Sequence, residues 1–155
     1  MKKLIITTIL IAFTFASFAQ CEDYFLSMSC RPTSKETKNM NISSQSKSAY
    51  VLARETYSFH FMLFRKMDYK IIFCSPKKFY PLHFVLKNRN TGEVLFDNKD
   101  DDYIESISIS IIEESIPVQA EVTLLAEDTE FKDIGKDRTC LGVCIMYQRI
   151  PRLGF

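Results

Sequence analysis

The chain reads as all-β, an antiparallel β-sandwich of jelly-roll-like type with about seven strands. Three observations predict this. Apolar and polar residues alternate with period two through most of the chain after Ala49. Turn-forming residues separate the alternating runs at short spacing. No segment carries its apolar residues at the 3.6-residue period of an amphipathic helix.

Taken in order, residues 1–19 read as a secretory signal peptide. Lys2 and Lys3 make a positive start, Leu4 to Phe15 is apolar apart from threonines, and Ser17-Phe18-Ala19 places small residues at −3 and −1 of a cleavage site. The segment resembles a Gram-negative Sec signal. Its apolar stretch falls short of the roughly 20 residues that a membrane span needs. Gln20 stands where a lipobox would put a small residue. Cleavage after Ala19 is therefore preferred over acylation of Cys21, which is kept as the alternative. Cys21 to Met28 suits either one helical turn or an edge strand. Residues 31–48 are polar and read as a linker, so the expected organisation is 1–19 signal, 20–48 N-terminal segment and linker, 49–155 sandwich.

The strands follow. Tyr57, Phe59, Phe61 and Leu63 alternate with Thr56, Ser58, His60 and Met62. Tyr69, Ile71 and Phe73 alternate with Lys70, Ile72 and Cys74 after the turn at Lys66-Met67-Asp68. Ser75-Pro76-Lys77-Lys78 breaks the run. Leu82, Phe84 and Leu86 start a third strand, and Asn88 to Gly92 makes a hairpin connection rich in residues that tolerate positive φ. Val94 and Phe96 lie on the returning strand. Ile107, Ile109 and Ile111 alternate with Ser106, Ser108 and Ser110, the cleanest amphipathic pattern in the chain. Val118, Ala120, Val122 and Leu124 follow, and Leu141, Val143, Ile145 and Tyr147 form the last strand. The polar alternates predict one wet face per sheet and one core between the sheets.

Composition removes whole classes of function. Twenty basic residues stand against 19 acidic ones, so there is no charge excess for nucleic acid. Only four glycines are present, too few for a glycine-rich phosphate loop, and no GxSxG, HExxH or P-loop occurs. Loss of Lys2 and Lys3 with the signal turns the formal charge from +1 to −1. No transmembrane segment is expected once the signal is gone.

All five cysteines, Cys21, Cys30, Cys74, Cys140 and Cys144, would reach an oxidising compartment, where disulfides persist. Two bridges among five cysteines allow fifteen connectivities. Local geometry leans towards Cys21 with Cys30 across a short segment, and Cys74 with Cys140 across a sheet. Cys140 and Cys144 on one strand lie about 13 Å apart, too far to join, which leaves Cys144 as the buried thiol outside the bridges. The spacings suit neither a thioredoxin motif nor a zinc site.

Four further groups are candidates for function. Lys77, Lys78, Phe79 and Tyr80 form a loop with ammonium groups and rings for a ligand, or a cap whose rings fold back on the sandwich end. Asp97, Asp100, Asp101 and Asp102 form an acidic inter-strand loop. This is a Ca²⁺ candidate because that ion takes six to eight oxygens, although Lys99 interrupts the set and a solvated loop is the simpler reading. No other cofactor is expected. His60 and His83 sit at polar alternates, without the nucleophile and orienting acid of a catalytic set. Glu113 and Glu114 are adjacent and so point to opposite faces of a strand.

The run from Leu52 to Pro76 contains Tyr57-Ser58-Phe59, a short turn and Tyr69-Lys70-Ile71, and is followed by Val94-Leu95-Phe96-Asp97-Asn98. It resembles the pre-peptidase C-terminal type of β-sandwich of secreted bacterial proteins, over roughly Ala49 to Ile150. That resemblance implies a non-catalytic accessory or binding module and carries over no functional residue. The expectation is thus an exported, periplasmic or extracellular, non-catalytic module that binds a glycan, a peptide or an envelope protein. The alternatives are a hydrolase or metal-dependent enzyme on the same scaffold, and a structural envelope subunit.

Overall fold

The computed structural model describes residues 21–27, 30, 37–127 and 137–151. The signal-peptide reading, Gln20 and part of the linker lie outside these residues. Among the described residues nine strands form: β1 (Asn41–Ile42), β2 (Lys47–Leu52), β3 (Thr56–Leu63), β4 (Met67–Cys74), β5 (Leu82–Asn88), β6 (Val94–Asp97), β7 (Ser106–Ile111), β8 (Ile116–Leu124) and β9 (Arg138–Arg149). One sheet has the order β2-β9-β4-β7, with β1 beside the far end of β9. The other has the order β3-β8-β5-β6. Every pairing is antiparallel. The chain changes sheet at each connection from β2 to β5 and again from β6 to β9. Two four-stranded sheets wound in this way are a jelly roll.

Seven strands fall on the alternating runs of the sequence. The other two, β1 and the start of β2, form in the polar stretch expected to be a linker. Both pair with β9 in antiparallel register, and the Ser43–Ser46 turn between them stays bonded to β9 as well. Ser46 Oγ accepts from Ile145 N–H at 3.0 Å and donates to Ile145 C=O at 3.3 Å, and Ser43 N–H reaches the same carbonyl at 2.7 Å. Apolar periodicity cannot announce strands in so polar a stretch.

The main core lies between the sheets. Tyr69, Ile71 and Phe73 of β4 and Leu141, Val143 and Ile145 of β9 face Phe59 and Phe61 of β3, Leu82, Phe84 and Leu86 of β5 and Val118, Ala120 and Val122 of β8. Phe73 stacks on Phe84 across the gap with ring centroids 4.1 Å apart, and Phe96 adds a third ring at 5.7 Å from Phe84. Burial of such rings is the main term holding the two layers together.

The outer face of the β3-β8-β5-β6 sheet is wet, as its polar alternates predict. Lys87 pairs with Glu121 at 2.7 Å and Thr56 with Thr123 at 2.8 Å. The other sheet departs from expectation. A second, smaller core forms on its outer face from Ile72, Cys74, Cys144, Met146 and Cys30, covered by Tyr24, Phe25 and Met40. The N-terminal segment, a single 3-10 turn at Tyr24–Leu26, therefore lies on the sheet as a lid.

Two disulfides pin that lid, and they correct the pairing expected from sequence. Cys21 joins Cys140 and Cys30 joins Cys74, with Cα separations of 5.3 and 5.2 Å. Cys74 stands opposite Gly142 and Cys140 opposite Tyr50. The two sheet cysteines are thus diagonal neighbours on one face, and each takes a cysteine of the lid above it instead of the other. Cys144 is buried and outside both bridges, in the place the sequence assigns it. Gly142 is what lets the lid sit close. A Cβ there would lie 2.7 Å from Cys74 Sγ, 2.8 Å from Cys30 Sγ and 3.1 Å from Phe25 Cα.

Candidate functional site

The structure brings together few of the residues singled out by sequence. In the Lys77–Phe79 3-10 turn, Phe79 is buried in the main core, 1% exposed. This is the second of the two readings of the loop, with the Phe79 ring folded back to cap the sandwich. Tyr80 is half-buried, and burial pushes its phenol up to about 12, helped by the Glu105 carboxylate that accepts its proton in a hydrogen bond. Lys77 and Lys78 are exposed, and Lys78 Nζ stands 4.8 Å from the Phe79 ring centre. The loop thus offers a cation and a structural plug rather than a row of rings.

The acidic loop is organised around a neutral residue rather than its carboxylates. Asn98 is fully buried. Its Oδ1 accepts from Phe84 N–H at 2.8 Å, and its Nδ2 donates to Leu82 C=O at 2.8 Å and Ile104 C=O at 3.0 Å. Asp97 caps the Asn98–Asp101 3-10 turn by accepting from Lys99 N–H at 3.0 Å, and lies 2.8 Å from His83 Nε2. Partial burial raises the Asp97 carboxyl, but the Lys99 amide and His83 outweigh it and hold it below the ordinary value. Asp100, Asp101 and Asp102 are exposed. Among the described residues no three of His, Cys, Asp and Glu converge on one point.

The two histidines are apart. His83 meets Asp97 and presents its ring to the edge of Tyr103 at 6.0 Å. His60 is exposed on β3, opposite Gln119. Glu113 and Glu114 are exposed in the bend after β7.

Two clefts were not legible in the sequence, because each joins segments far apart along the chain. The first, of about 270 Å³, lies on the outer face beside β7. There Asp68 accepts from Ser110 Oγ at 2.6 Å and Gln148 Nε2 at 3.4 Å, and Lys70 donates to Ser108 at 3.2 Å. Every charge in it already has a partner. The second, of about 390 Å³, opens at the end of the sandwich where β3 turns into β4. Phe64, Met67, Tyr69, Tyr147, Gln45 and the Ser43–Ser44 turn line it. Tyr69 and Tyr147 stand 6.5 Å apart between ring centres. Phe64 N–H donates to the Tyr69 hydroxyl at 2.8 Å, and burial pushes the Tyr69 phenol up. Gln45 bridges to Met62 in both directions, 2.7 and 3.0 Å, which ties the cleft wall to the edge of β3. Phe64 is 53% exposed at this cleft.

No protein-family model matches the chain. No curated protein matches it. A solved structure of similar shape is PliG of Aeromonas hydrophila, a periplasmic lysozyme inhibitor of g-type lysozyme. It has a TM-score of 0.44 and 8% identity, and the match covers 72% of this chain and 90% of that one. At that identity no residue role passes from one to the other.

Proposed function

We propose that the chain is an exported binding module that acts by contact, and that the cleft beside Phe64 receives an apolar side chain of a peptide or protein partner. The observation that carries this is the chemistry of the cleft wall. Its lining consists of three rings, a thioether, an amide and two serine hydroxyls. Such groups give contact area and orientation. None of them is an acid or base that exchanges protons near neutrality, least of all Tyr69 with its raised phenol. The volume suits a side-chain or small-ligand site, and Tyr, Phe and Met are the residues enriched at the centres of protein interfaces. Export is supported by the two disulfides, which persist in oxidising compartments, together with the leader read from the sequence.

The test compares the disulfide-intact chain with its Phe64→Asp variant and with Val94→Asp as a control, each immobilised against an envelope extract. Val94 is exposed on β6, at the far edge of the β3-β8-β5-β6 sheet from β3. A protein held by the wild type and the control but lost from Phe64→Asp supports the cleft. Equal retention by all three removes it.

A further inference from the structure

A jelly roll has four sheet edges, and this molecule protects three of them. The edge of β3 is stitched by its neighbours. Gln45 occupies the N–H and C=O of Met62, and Lys47 Nζ reaches the His60 carbonyl at 3.5 Å. β2 gives its Leu52 N–H to the Tyr57 hydroxyl at 2.9 Å and hosts the N-terminal lid through Ser48, which accepts from Phe25 N–H at 3.0 Å. β6 has only four residues, and its pairing with β5 is broken by a register shift at Leu86/Lys87. Short, irregular or covered edges are the usual defences against unwanted strand pairing.

β7 has none of these devices. Its six residues, Ser106–Ile111, pair in unbroken register with β4, and among the described residues with no other strand. It contains no proline, glycine or charge. The direction of its backbone groups follows from one bond. Phe73 N–H donates to Glu105 C=O at 2.9 Å, so residue 105 points inward to β4. Antiparallel ladders alternate with period two. Ile107, Ile109 and Ile111 therefore also point their amides and carbonyls inward, and those of Ser106, Ser108 and Ser110 point to the open edge. Three donors and three acceptors stand in a row, and the Ile107 and Ile109 side chains beside them are only half-buried.

We propose that β7 is a strand-addition site, and that its occupant is an extended segment of a partner protein with basic residues at both ends. This rests on the reading of the chain as a binding module, but uses a different surface. Charge selects the occupant. Glu105 precedes β7, and Glu113 and Glu114 follow it, all exposed. In an antiparallel pairing with a second copy, Glu105 of each chain would lie opposite or diagonal to Glu113 of the other, and like charges so placed repel. A segment with Lys or Arg at each end instead meets a carboxylate at each end. Alternation follows from the two faces. Side chains opposite Ile107 and Ile109 extend the main core and should be β-branched. Those opposite Ser106, Ser108 and Ser110 face the polar cleft of Asp68 and Lys70 and should be small and polar. Main-chain bonds would supply affinity and the alternate side chains specificity.

The probe is the peptide Lys-Ser-Val-Ser-Val-Ser-Val-Ser-Lys, titrated into the isotope-labelled full chain with its disulfides intact. Amide exchange at Ser106, Ser108 and Ser110 should slow by about tenfold or more at saturation. A version with Glu at both ends should bind at least about tenfold more weakly, and a version N-methylated on the pairing edge should not bind. Ser108→Pro removes one outward N–H without touching the β4 ladder, where edge prolines are tolerated, and should abolish binding. Should that variant fail to fold, the N-methylated peptide decides alone. Unslowed exchange, or equal binding of all three peptides, overturns the proposal. A concentration-dependent dimer that protects the same amides without peptide also overturns it, because the occupant is then a second copy. Phe64→Asp should leave peptide binding unchanged. Loss of binding there would put the peptide in the cleft, ending the edge proposal while leaving the cleft reading intact.

Discussion

Replacing Asn98 by alanine should be among the most destabilising single changes in this molecule. The side chain is fully buried and satisfies three backbone groups at once: the Phe84 amide and the Leu82 and Ile104 carbonyls. The first two bonds are buried and the third is partly buried. Alanine leaves the Phe84 N–H and the Leu82 C=O facing a small void, while the Ile104 carbonyl gains access to water. An unsatisfied buried group costs about 1–3 kcal/mol, so the two together come to about 2–6 kcal/mol. That is a large part of the roughly 5–15 kcal/mol total of an ordinary domain. For a chain of this size each kcal/mol moves the midpoint by roughly 3–5 °C, so thermal unfolding followed by circular dichroism should show a fall of about 6–30 °C. Asn98→Asp is the sharper companion. It keeps an acceptor for Phe84 N–H but turns the donor into a second acceptor facing two carbonyls, and it buries a charge. It should be at least as damaging as alanine at neutral pH and recover partly in acid. A cooperative transition within about 3 °C of wild type for Asn98→Ala would refute the reasoning. The Asn98 network would then not be what closes the β6–β7 connection.

Other expectations follow from single observations. Tyr80 has a folded pKa of about 12, above the ordinary 10.0. Its contribution to stability is therefore complete below pH 10 and is lost as pH rises through 12; ultraviolet difference titration should show Tyr80 ionising late alongside Tyr69, whose phenol burial also raises, and Tyr80→Phe should diminish that late step. Gly142→Ala puts a Cβ within 2.8 Å of two disulfide sulfurs, so it should displace the lid, raise proteolysis near Tyr24–Leu26 and leave the jelly-roll circular dichroism in place; unchanged proteolysis would count against the close approach. Non-reducing peptide mapping should recover Cys21 with Cys140 and Cys30 with Cys74, and the Cys30→Ser/Cys74→Ser pair should lose about 4 kcal/mol by loop-closure entropy for a separation of 44 residues. Asp97, held below the ordinary carboxylate value, contributes stability that is present at neutral pH and falls away as pH drops through its lowered pKa. Asp97→Asn should therefore flatten the acid limb of a stability profile, and an unchanged limb would exclude it as a contributor.

The alternating apolar pattern was sufficient to determine the class of fold. Seven runs of period two hide their apolar faces in two layers around a main core, and seven strands, β3 to β9, formed on those runs. The leftover position of Cys144 was legible for the same reason, because strand geometry alone separates it from Cys140. Residue-local signals did not extend to anything that depends on which strand lies beside which. Register put Cys74 opposite Gly142 and left the sheet cysteines to pair with the lid. β1 was hidden because it is two exposed residues in a polar stretch, too short to carry an alternating pattern. The acidic loop drew the eye to its carboxylates, yet its organising residue is the neutral Asn98, whose three partners lie on separate segments. The Phe64 cleft and the open edge of β7 are likewise products of tertiary arrangement. Ser106–Ile111 reads in sequence as an amphipathic strand like its neighbours. Only the order of strands in the sheet decides that it stands last, with three amides and three carbonyls facing outward.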